Sequence, residues 1–528
     1  MTRGVRVVAR DVTGSPPAAS GAPFPPRSLE RFVPGFFLLL GVVGTFPVLR
    51  SLYVADLNWC YPYLSSDSYD WINNGLFWAG VPFVPSFRPP GLPLVIALLV
   101  KLGALSWLPV LNFVALGATS VLLFHLLRRR FDSFVSALTA WVFYANDFSR
   151  DLAKYVLAEV YATPLLVLAA LLFLLAGRRP GLYVPFGLVL ASSFLFHYAA
   201  LPAAVGFAIA VLFRRRGHLR LRPLWVGAAA AVLVAGGWVL ARALHYRSHP
   251  AALPHVQEAL VSFVPGNIRF YALAGTALLG LAALPIYAVG ALRMLEPGTK
   301  DEDDFRAACI APLAGLSAFF FVFYDWIDKR FLFYGFPFVM AFFAEGADRL
   351  IAYGRRSRPL RAVVWGYLAA AILWTQIRYP SYGIHYLALT PRDFLEARST
   401  TNSRDRLSIH LSESRVVRLH RSWPGAFGGG LFDYRHRPAG CRLDDPDYLA
   451  LLSLKRKLDE TFSPGAPVGL DRLDGWPSDP WLCWIRLANV LKRPVVRADL
   501  SPCRVTDREP GGRVPLLVSG RYRVVCGP

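Results

Sequence analysis

The chain has 528 residues, 55% of them hydrophobic and 17% charged, with 57 Lys+Arg against 35 Asp+Glu and a formal net charge of +22. Soluble domains carry nearer a quarter charged residues, so this composition, with a mean hydropathy of +0.39, excludes an ordinary soluble protein and reads as a membrane protein. The basic excess is not a nucleic-acid footprint, because the arginines fall in short groups between apolar runs, as topology signals do.

In chain order, residues 1–31 form a Pro- and Ala-rich leader, expected to be a disordered cytoplasmic tail. A helix crossing the hydrocarbon core needs about 20 mostly apolar residues. About eleven spans are expected, near 33–53, 107–127, 132–147, 156–176, 182–196, 199–213, 223–243, 270–293, 307–324, 330–350 and 362–378. The leader is long for a signal-peptide n-region and no small-x-small cleavage site follows, so 33–53 is read as a span. The apolar segment 91–104 is headed by Pro89 and Pro90 and contains Pro93. It is expected to lie on, or dip into, the outer leaflet rather than cross. With it set aside, Arg128–Arg130, Arg178 and Arg179, Arg214–Arg216, and Arg355, Arg356 and Arg358 all follow even-numbered spans, on the side of the N-terminal tail. The positive-inside rule makes that side cytoplasmic, and the protein a multi-pass protein of the cytoplasmic (inner) membrane.

The acidic, aromatic stretch "SSDSYDWINNG" (65–75) then faces outward. So does the tail 379–528, which is more polar, rich in Pro and Gly turns, and ends in an expected strand around "RVPLLVSGRYRVV". The fold class expected is an all-α polytopic membrane domain over 32–378 followed by an extracytoplasmic α+β domain over 379–528. The tail holds Cys441, Cys483, Cys503 and Cys526, four of six cysteines. In an oxidising compartment these form two disulfides; buried free thiols are the other reading, and the spacing is not zinc-like. Cys60 and Cys309 are expected to pack. Trp423, Trp476, Trp481 and Trp484 suit a glycan surface or a core equally.

Other outer loops carry charge of both signs. "NDFSRDLAKYVLAE" (146–159) supplies Asp147, Arg150, Asp151, Lys154 and Glu159. "GNIRFY" supplies Arg269, "YDWIDKRF" supplies Asp325, Asp328, Lys329 and Arg330, and His197 lies between spans five and six on the same side. Ionisable groups at a membrane boundary face a cavity or each other, so one shared polar cavity is expected; solvated span ends are the plainer reading. In such a cavity a carboxylate can deprotonate a hydroxyl nucleophile. Arg and Lys can hold a phosphate and stabilise the charge that develops on it as it leaves. Outside the cytoplasm an activated sugar would travel on a lipid phosphate and enter sideways from the bilayer, past Pro89, Pro90 and the surface helix. Two other readings stay open: a secondary transporter, although no internal repeat is visible, and a membrane-anchored envelope assembly protein.

This order of features resembles the GT-C glycosyltransferases, in the branch with protein O-mannosyltransferases and lipid A aminoarabinose transferases. That family places an acidic motif in the first outer loop, where "SSDSYD" stands. A Pro-Pro segment leading a surface helix follows, and "SFRPPGLPLVIALL" (86–99) is similar to it. Next come a span ending in basic residues, a return span and a second acidic outer loop, as in "LLFHLLRRRFDSFVSALTAWVFYANDFSRDLAKYVLAEVYATPLL". "KRFLFYGFPFVM" (329–340) resembles the family's R-Y-x-x-P-x-x-P span. The likeness runs over residues 33–350. The chain departs from the pattern with Ser68 after Asp67 in place of an Asp-Glu pair, with Phe331 for Tyr, and with His197 where an Arg is expected.

The resemblance implies inverting transfer of a sugar from a polyprenyl-phosphate donor to a lipid, glycan or protein acceptor, among membrane lipids and with no nucleic acid. It implies Asp67 as general base, with Asp151 and Glu159 as second-loop acids. Substrate contacts fall to Asp70, Tyr69, Arg88, Arg150, Lys154, His197, Arg269, Lys329 and Arg330. Each has a plainer alternative. Asp67 can be a helix N-cap, Asp70 a surface acid rather than a second carboxylate for a metal, and Tyr69 and Trp71 interface anchors rather than a sugar platform. The basic groups can serve ion pairs or headgroups, and His197 packing. No cofactor is indicated, and a divalent metal stays open.

Overall fold

The computed structural model describes residues 32–44, 66–81, 88–248, 267–324, 329–376, 446–463, 466–471, 490–491, 493, 495–497, 501–508 and 515–526. It is mostly helical. The helices are α1 (Val33–Gly44), α2 (Ser66–Trp78), α3 (Gly91–Lys101), α4 (Leu108–Leu127), α5 (Ser133–Ala145), α6 (Asp147–Ala153), α7 (Glu159–Ala176) and α8 (Tyr183–Phe196). There follow α9 (Ala200–Arg214), α10 (Arg222–Ser248), α11 (Asn267–Leu279), α12 (Leu284–Leu295), α13 (Lys300–Ala318), α14 (Leu332–Gly354), α15 (Arg358–Gln376) and, in the tail, α16 (Pro446–Thr461).

Local chemistry starts several of them. The Asp132 carboxylate accepts the Val135 amide at 2.8 Å and caps α5. Thr299 and Glu302 close a capping box at the start of α13, which satisfies two otherwise unpaired amides. Pro109 and Pro285 sit in the first turns of α4 and α12, where the missing amide costs nothing.

Among the described residues, four stretches are long and apolar enough to cross a membrane by length and composition: Leu105–Leu127, Glu159–Ala176, Arg222–His245 and Lys300–Phe323. The expected count of eleven is not reached by that measure, because several expected spans are short apolar helices, among them α5, α9 and α12. The expected single span over 270–293 is two helices. Gly280 adopts φ +81°, a left-handed conformation that breaks the run, and α12 restarts after a 3-10 turn at Leu281–Ala283. The expected span 307–324 begins earlier, at Lys300, and ends in a π-helical turn at Phe319–Phe323. The surface segment is the 11-residue α3, closed by Gly103 at positive φ. The stretch read as an outer loop, 65–75, is helical from Ser66.

Neighbouring helices meet closely at small residues. A methyl group added to Gly206 of α9 would overlap the Ala311 carbonyl of α13, and one on Gly315 of α13 would overlap the Pro202 carbonyl of α9. Gly290 of α12 and Gly346 of α14 make the same reciprocal contact through Phe342 and Ile286. Such approaches replace hydrophobic drive, which is weak between helices in lipid, with backbone packing.

One end of the bundle gathers the arginine clusters. The acidic first turn of α13 meets them one by one: Asp301 with Arg178 at 2.5 Å, Glu302 with Arg130 at 2.6 Å, Asp303 with Arg214 at 3.7 Å and Asp304 with Arg215 at 2.9 Å. Arg130 also holds the buried Glu345 of α14 at 2.8 Å.

In the tail, α16 lays Leu451, Leu454 and Leu458 against a five-stranded sheet with order β2-β1-β3-β5-β4. Its strands are β1 (Val468–Leu470), β2 (Val495–Arg497), β3 (Cys503–Thr506), β4 (Leu517–Ser519) and β5 (Tyr522–Cys526). The expected terminal strand is a hairpin, turned at Gly520 with φ +57°. Cys503 and Cys526, opposite each other on β3 and β5, form a disulfide. Cys309 is a buried free thiol. Cys60, Cys441, Cys483 and the four tail tryptophans lie outside the described residues.

Candidate active site

The opposite end of the bundle is built around α2. Asp67, Asp70 and Asn74 follow at intervals of three and four, so they share one helix face. That face is buried, Asp67 to 7% exposure. α2 packs on α3 where Gly75 leaves room for Ile96, and Trp71 and Ile72 join the hydrophobic core. Asn74 braces the stripe: its amide donates to the Asp70 carbonyl at 2.9 Å, and its oxygen accepts the Arg88 backbone amide at 2.8 Å.

Two guanidiniums close on this face. Arg88 donates to Asp67 Oδ1 at 2.7 Å and to Asp70 Oδ2, and lies 5.3 Å from the Trp71 ring centre. Arg330, from the 3-10 turn before α14, donates to Asp67 Oδ2 at 2.5 Å. Its Nε stands 3.3 Å from Glu159. Arg330 and Glu159 are buried, at 8% and 1% exposure. Burial works to raise the Asp67 pKa, but Arg330 and Arg88 outweigh it and hold the carboxyl well below the usual carboxylate range. Burial works against the charge on Arg88, and its Asp70 and Asp67 partners more than restore it.

Glu159 is the first residue of α7, where a carboxylate is favoured by the helix dipole. The chain leading to it is fully packed and pinned from α4. Asn112 donates to the Tyr155 carbonyl at 2.6 Å and accepts from the Tyr161 hydroxyl at 2.7 Å. His197, half-buried, ends α8 and takes the Ala199 amide on Nδ1 at 3.2 Å. Its ring lies 5.3 Å from that of Tyr334. Burial, with Arg330 and Arg88 nearby, pushes the His197 pKa down to about 3, so the imidazole is neutral.

The structure thus brings together Asp67, Asp70, Arg88, Glu159, His197 and Arg330. Tyr69 is buried in the same helix. Arg150 and Lys154 are half-buried in and just after α6. The side chains of Asp151, Arg269 and Lys329 lie outside the described ones. Asp67 is not merely a cap: both carboxylate oxygens are held by arginines. Among the described residues no group of three or more His, Cys, Asp or Glu side chains is arranged to hold a metal ion. Sequence reasoning passed over Asn74, Asn112 and Tyr334. Asn112 carried a signal, a polar residue inside an apolar run.

No protein-family model and no curated protein matches the chain. Solved structures do. ArnT from Cupriavidus metallidurans, bound to undecaprenyl phosphate, is similar with a TM-score of 0.54 at 13% identity, over 95% of this chain and 99% of that one. The oligosaccharyltransferase AglB from Archaeoglobus fulgidus, in complex with an inhibitory peptide and a dolichol-phosphate, is similar with a TM-score of 0.52 at 13% identity, over 91% of this chain and 69% of that one. This chain resembles both in fold over nearly its whole length.

Proposed function

We propose that the protein is an inner-membrane glycosyltransferase that moves a sugar from a polyprenyl-phosphate donor to an acceptor hydroxyl on a lipid, glycan or protein at the extracytoplasmic face. The observation that carries this reading is the buried Asp67 carboxylate clasped by Arg88 and Arg330. It sits on a fold shared with proteins solved with undecaprenyl phosphate and dolichol-phosphate.

In this reading the donor phosphate competes with Asp67 for the two guanidiniums. Each guanidinium drawn to phosphate leaves Asp67 less stabilised as an anion and so a stronger base. The acceptor hydroxyl gives its proton to Asp67 and its oxygen attacks the anomeric carbon. The bond from that carbon to the phosphate oxygen breaks, and the electron pair leaves with the lipid phosphate. A single displacement inverts the anomeric centre. The guanidiniums stabilise the second negative charge that the phosphate acquires. Glu159 holds Arg330 in place. Three carboxylates against two guanidiniums leave one negative charge in excess, so the phosphate needs further positive charge, which Arg150 and Lys154 of the same outer segment supply.

Residues 32–378 form the catalytic membrane domain, 1–31 a cytoplasmic tail, and 379–528 an extracytoplasmic domain. Of the four tail cysteines expected to form two disulfides, Cys503 is bonded to Cys526; non-reducing peptide mapping tests whether Cys441 and Cys483 are oxidised as well.

The test of function is transfer by purified protein in nanodiscs, given undecaprenyl-phosphate-linked sugars and envelope extract as acceptor. Release of undecaprenyl phosphate with a glycosylated product supports the reading. No release from any donor, with the protein folded, overturns it. Envelope glycans and lipids from a deletion strain name the product.

A further inference from the structure

The arginine-rich end of the bundle, opposite the Asp67 cluster, holds a cavity of about 480 Å³, within the roughly 300–1,000 Å³ of small-molecule sites. Its walls come from the end of α9, the 3-10 turn Arg216–Arg220 and the first turn of α13. Arg215 is the fixed wall. It is buried to 5% exposure. It donates to Asp304 Oδ1 at 3.0 Å and to the Phe173 carbonyl at 2.6 Å, and reaches the Tyr183 hydroxyl at 3.3 Å. That hydroxyl accepts from a group that can only donate, so its own proton goes to His218 Nδ1, 2.9 Å away. Burial and Arg215 lower the His218 pKa, so the ring is neutral at pH 7 and carries its proton on Nε2.

Cations outnumber acids along the lining. Arg215 is matched by Asp304. Arg214 reaches Asp303 only at 3.7 Å, and Asp303 also accepts from Arg306 at 3.1 Å. Arg216 and Lys300 line the cavity, are exposed, and have no carboxylate partner among the described residues. The excess is therefore two positive charges. Lys300 does not serve its own helix, because a cation in the first turn opposes the helix dipole.

We propose that this cavity is a second anion site, separate from the Asp67 cluster, that binds the phosphate group of a phosphate ester. Arg216 and Lys300 supply the unmatched charge, and His218 an uncharged donor. Arg215, oriented by Asp304, backs them. Charge-assisted bonds from several cations to one phosphate are the strong kind, and a phosphomonoester dianion matches the excess of two. A phospholipid headgroup and a soluble phosphate ester share this chemistry. The surroundings favour the lipid. Phe213 and Trp225 flank the Arg216–Arg220 turn and are largely exposed, and the Trp225 indole donates to the Leu219 carbonyl at 2.7 Å. Exposed aromatics of this kind sit at headgroup level in a membrane, and basic pockets between membrane helices take lipid headgroups. The site does not depend on the transfer reaction.

The test titrates full-length protein in neutral detergent with dioleoyl phosphatidic acid, dioleoyl phosphatidylcholine and glycerol 3-phosphate, counting bound ligand by native mass spectrometry. Phosphatidic acid is expected to bind about tenfold or more tighter than phosphatidylcholine, whose choline cancels its charge. Lys300→Gln combined with Arg216→Gln should weaken phosphatidic acid by about 5-fold per charge, about 25-fold together. Both side chains are exposed, so melting should not change, and Lys300→Arg should keep the binding. Arg356→Gln combined with Arg358→Gln removes two exposed arginines of the same end outside the cavity, and should change binding by no more than about twofold. Glycerol 3-phosphate that binds with the same dependence on Lys300 and Arg216 supports the site and makes its ligand soluble. Phosphatidic acid binding alone supports it and makes the ligand a lipid. Equal losses in the two double variants would show a diffuse attraction to the basic end and overturn the site. So would a wild type that binds phosphatidic acid no tighter than phosphatidylcholine and takes up no glycerol 3-phosphate, a result that needs no variant.

Discussion

The two ends of the helical bundle both pair arginines with carboxylates, with a different balance of charge and, at the rim, a different exposure to water. At the arginine-rich end the pairs are matched nearly one to one along the first turn of α13, and the outermost, Arg178 with Asp301, is about seven-tenths exposed on both sides. At the other end three carboxylates share two guanidiniums, and Asp67, Glu159 and Arg330 are almost fully buried. Exposed pairs are screened by water and hold little free energy. Buried charges bear a desolvation cost that only their partners offset. The first arrangement fits a fastening between helix ends. The second is a strained concentration of charge that stability alone does not explain.

The largest expected effect separates the ends by activity. Asp67→Asn keeps the shape and removes the proton acceptor, so turnover should fall about 10²- to 10⁴-fold, measured as product release in nanodiscs. Asp301→Asn at the other end should leave turnover unchanged. Equal turnover in the Asp67 variant would remove it from the mechanism and send the search for the base to Asp70 or Glu159.

The next effect separates them by stability. Arg330→Gln leaves Asp67 and Glu159 short of a buried partner and should cost about 3–5 kcal/mol, read from thermal or denaturant unfolding. Arg130→Gln leaves Glu302 partly solvated and the buried Glu345 still within 3.5 Å of Arg349, and should cost about 1–3 kcal/mol. A reversed order would mean that the buried cluster draws compensating charge from elsewhere.

A pH series sharpens the same contrast. The folded Asp67 carboxyl is held below its unfolded value of about 3.9. Its pairs therefore contribute stability in full above about pH 5, and that contribution is lost as pH falls below about 4. The stability gap between wild type and Asp67→Asn should narrow over that acid range. A gap that is flat with pH would show the carboxylate to be unpaired in solution. His197, held neutral in the folded protein while its unfolded form protonates near 6.5, should subtract stability from wild type and variant alike as pH falls below about 6.5.

The smallest effect is expected at Arg178→Ala. Its pair is exposed, and neither melting temperature nor turnover should change measurably. Any loss that does appear should vanish in high salt.

The apolar runs made most of the helices legible, since their length and composition are written locally. The acidic pair of α2 was legible too, because 67 and 70 fall one helical turn apart, although Asn74 on the same face was passed over. What joins these pieces was not. Arg330 and Asp67 are 263 residues apart, and no local pattern encodes a contact at that separation; the charge of its outer loop brought Arg330 into view, but not its partner. The break at Gly280 was hidden because one glycine in an apolar run does not disturb hydropathy. The "KDEDD" turn at 300–304 reads as an ordinary solvated loop until the arginines of three other helix ends are placed around it. Tyr334 was hidden among aromatics that mostly pack.

The glycine contacts described for α9 with α13 and α12 with α14 bear on how accurately the site is assembled. α13 and α14 each run from the arginine-rich end to the Asp67 cluster, and each touches its neighbour backbone to backbone. Side-chain packing can relax by rotamer changes, but a glycine seated on a carbonyl has no such freedom. The depth at which Arg330 and Tyr334 are presented is therefore fixed by main-chain geometry many residues away. Gly346→Ala would be expected to displace those groups while leaving every site residue chemically intact, a defect in registration rather than in composition.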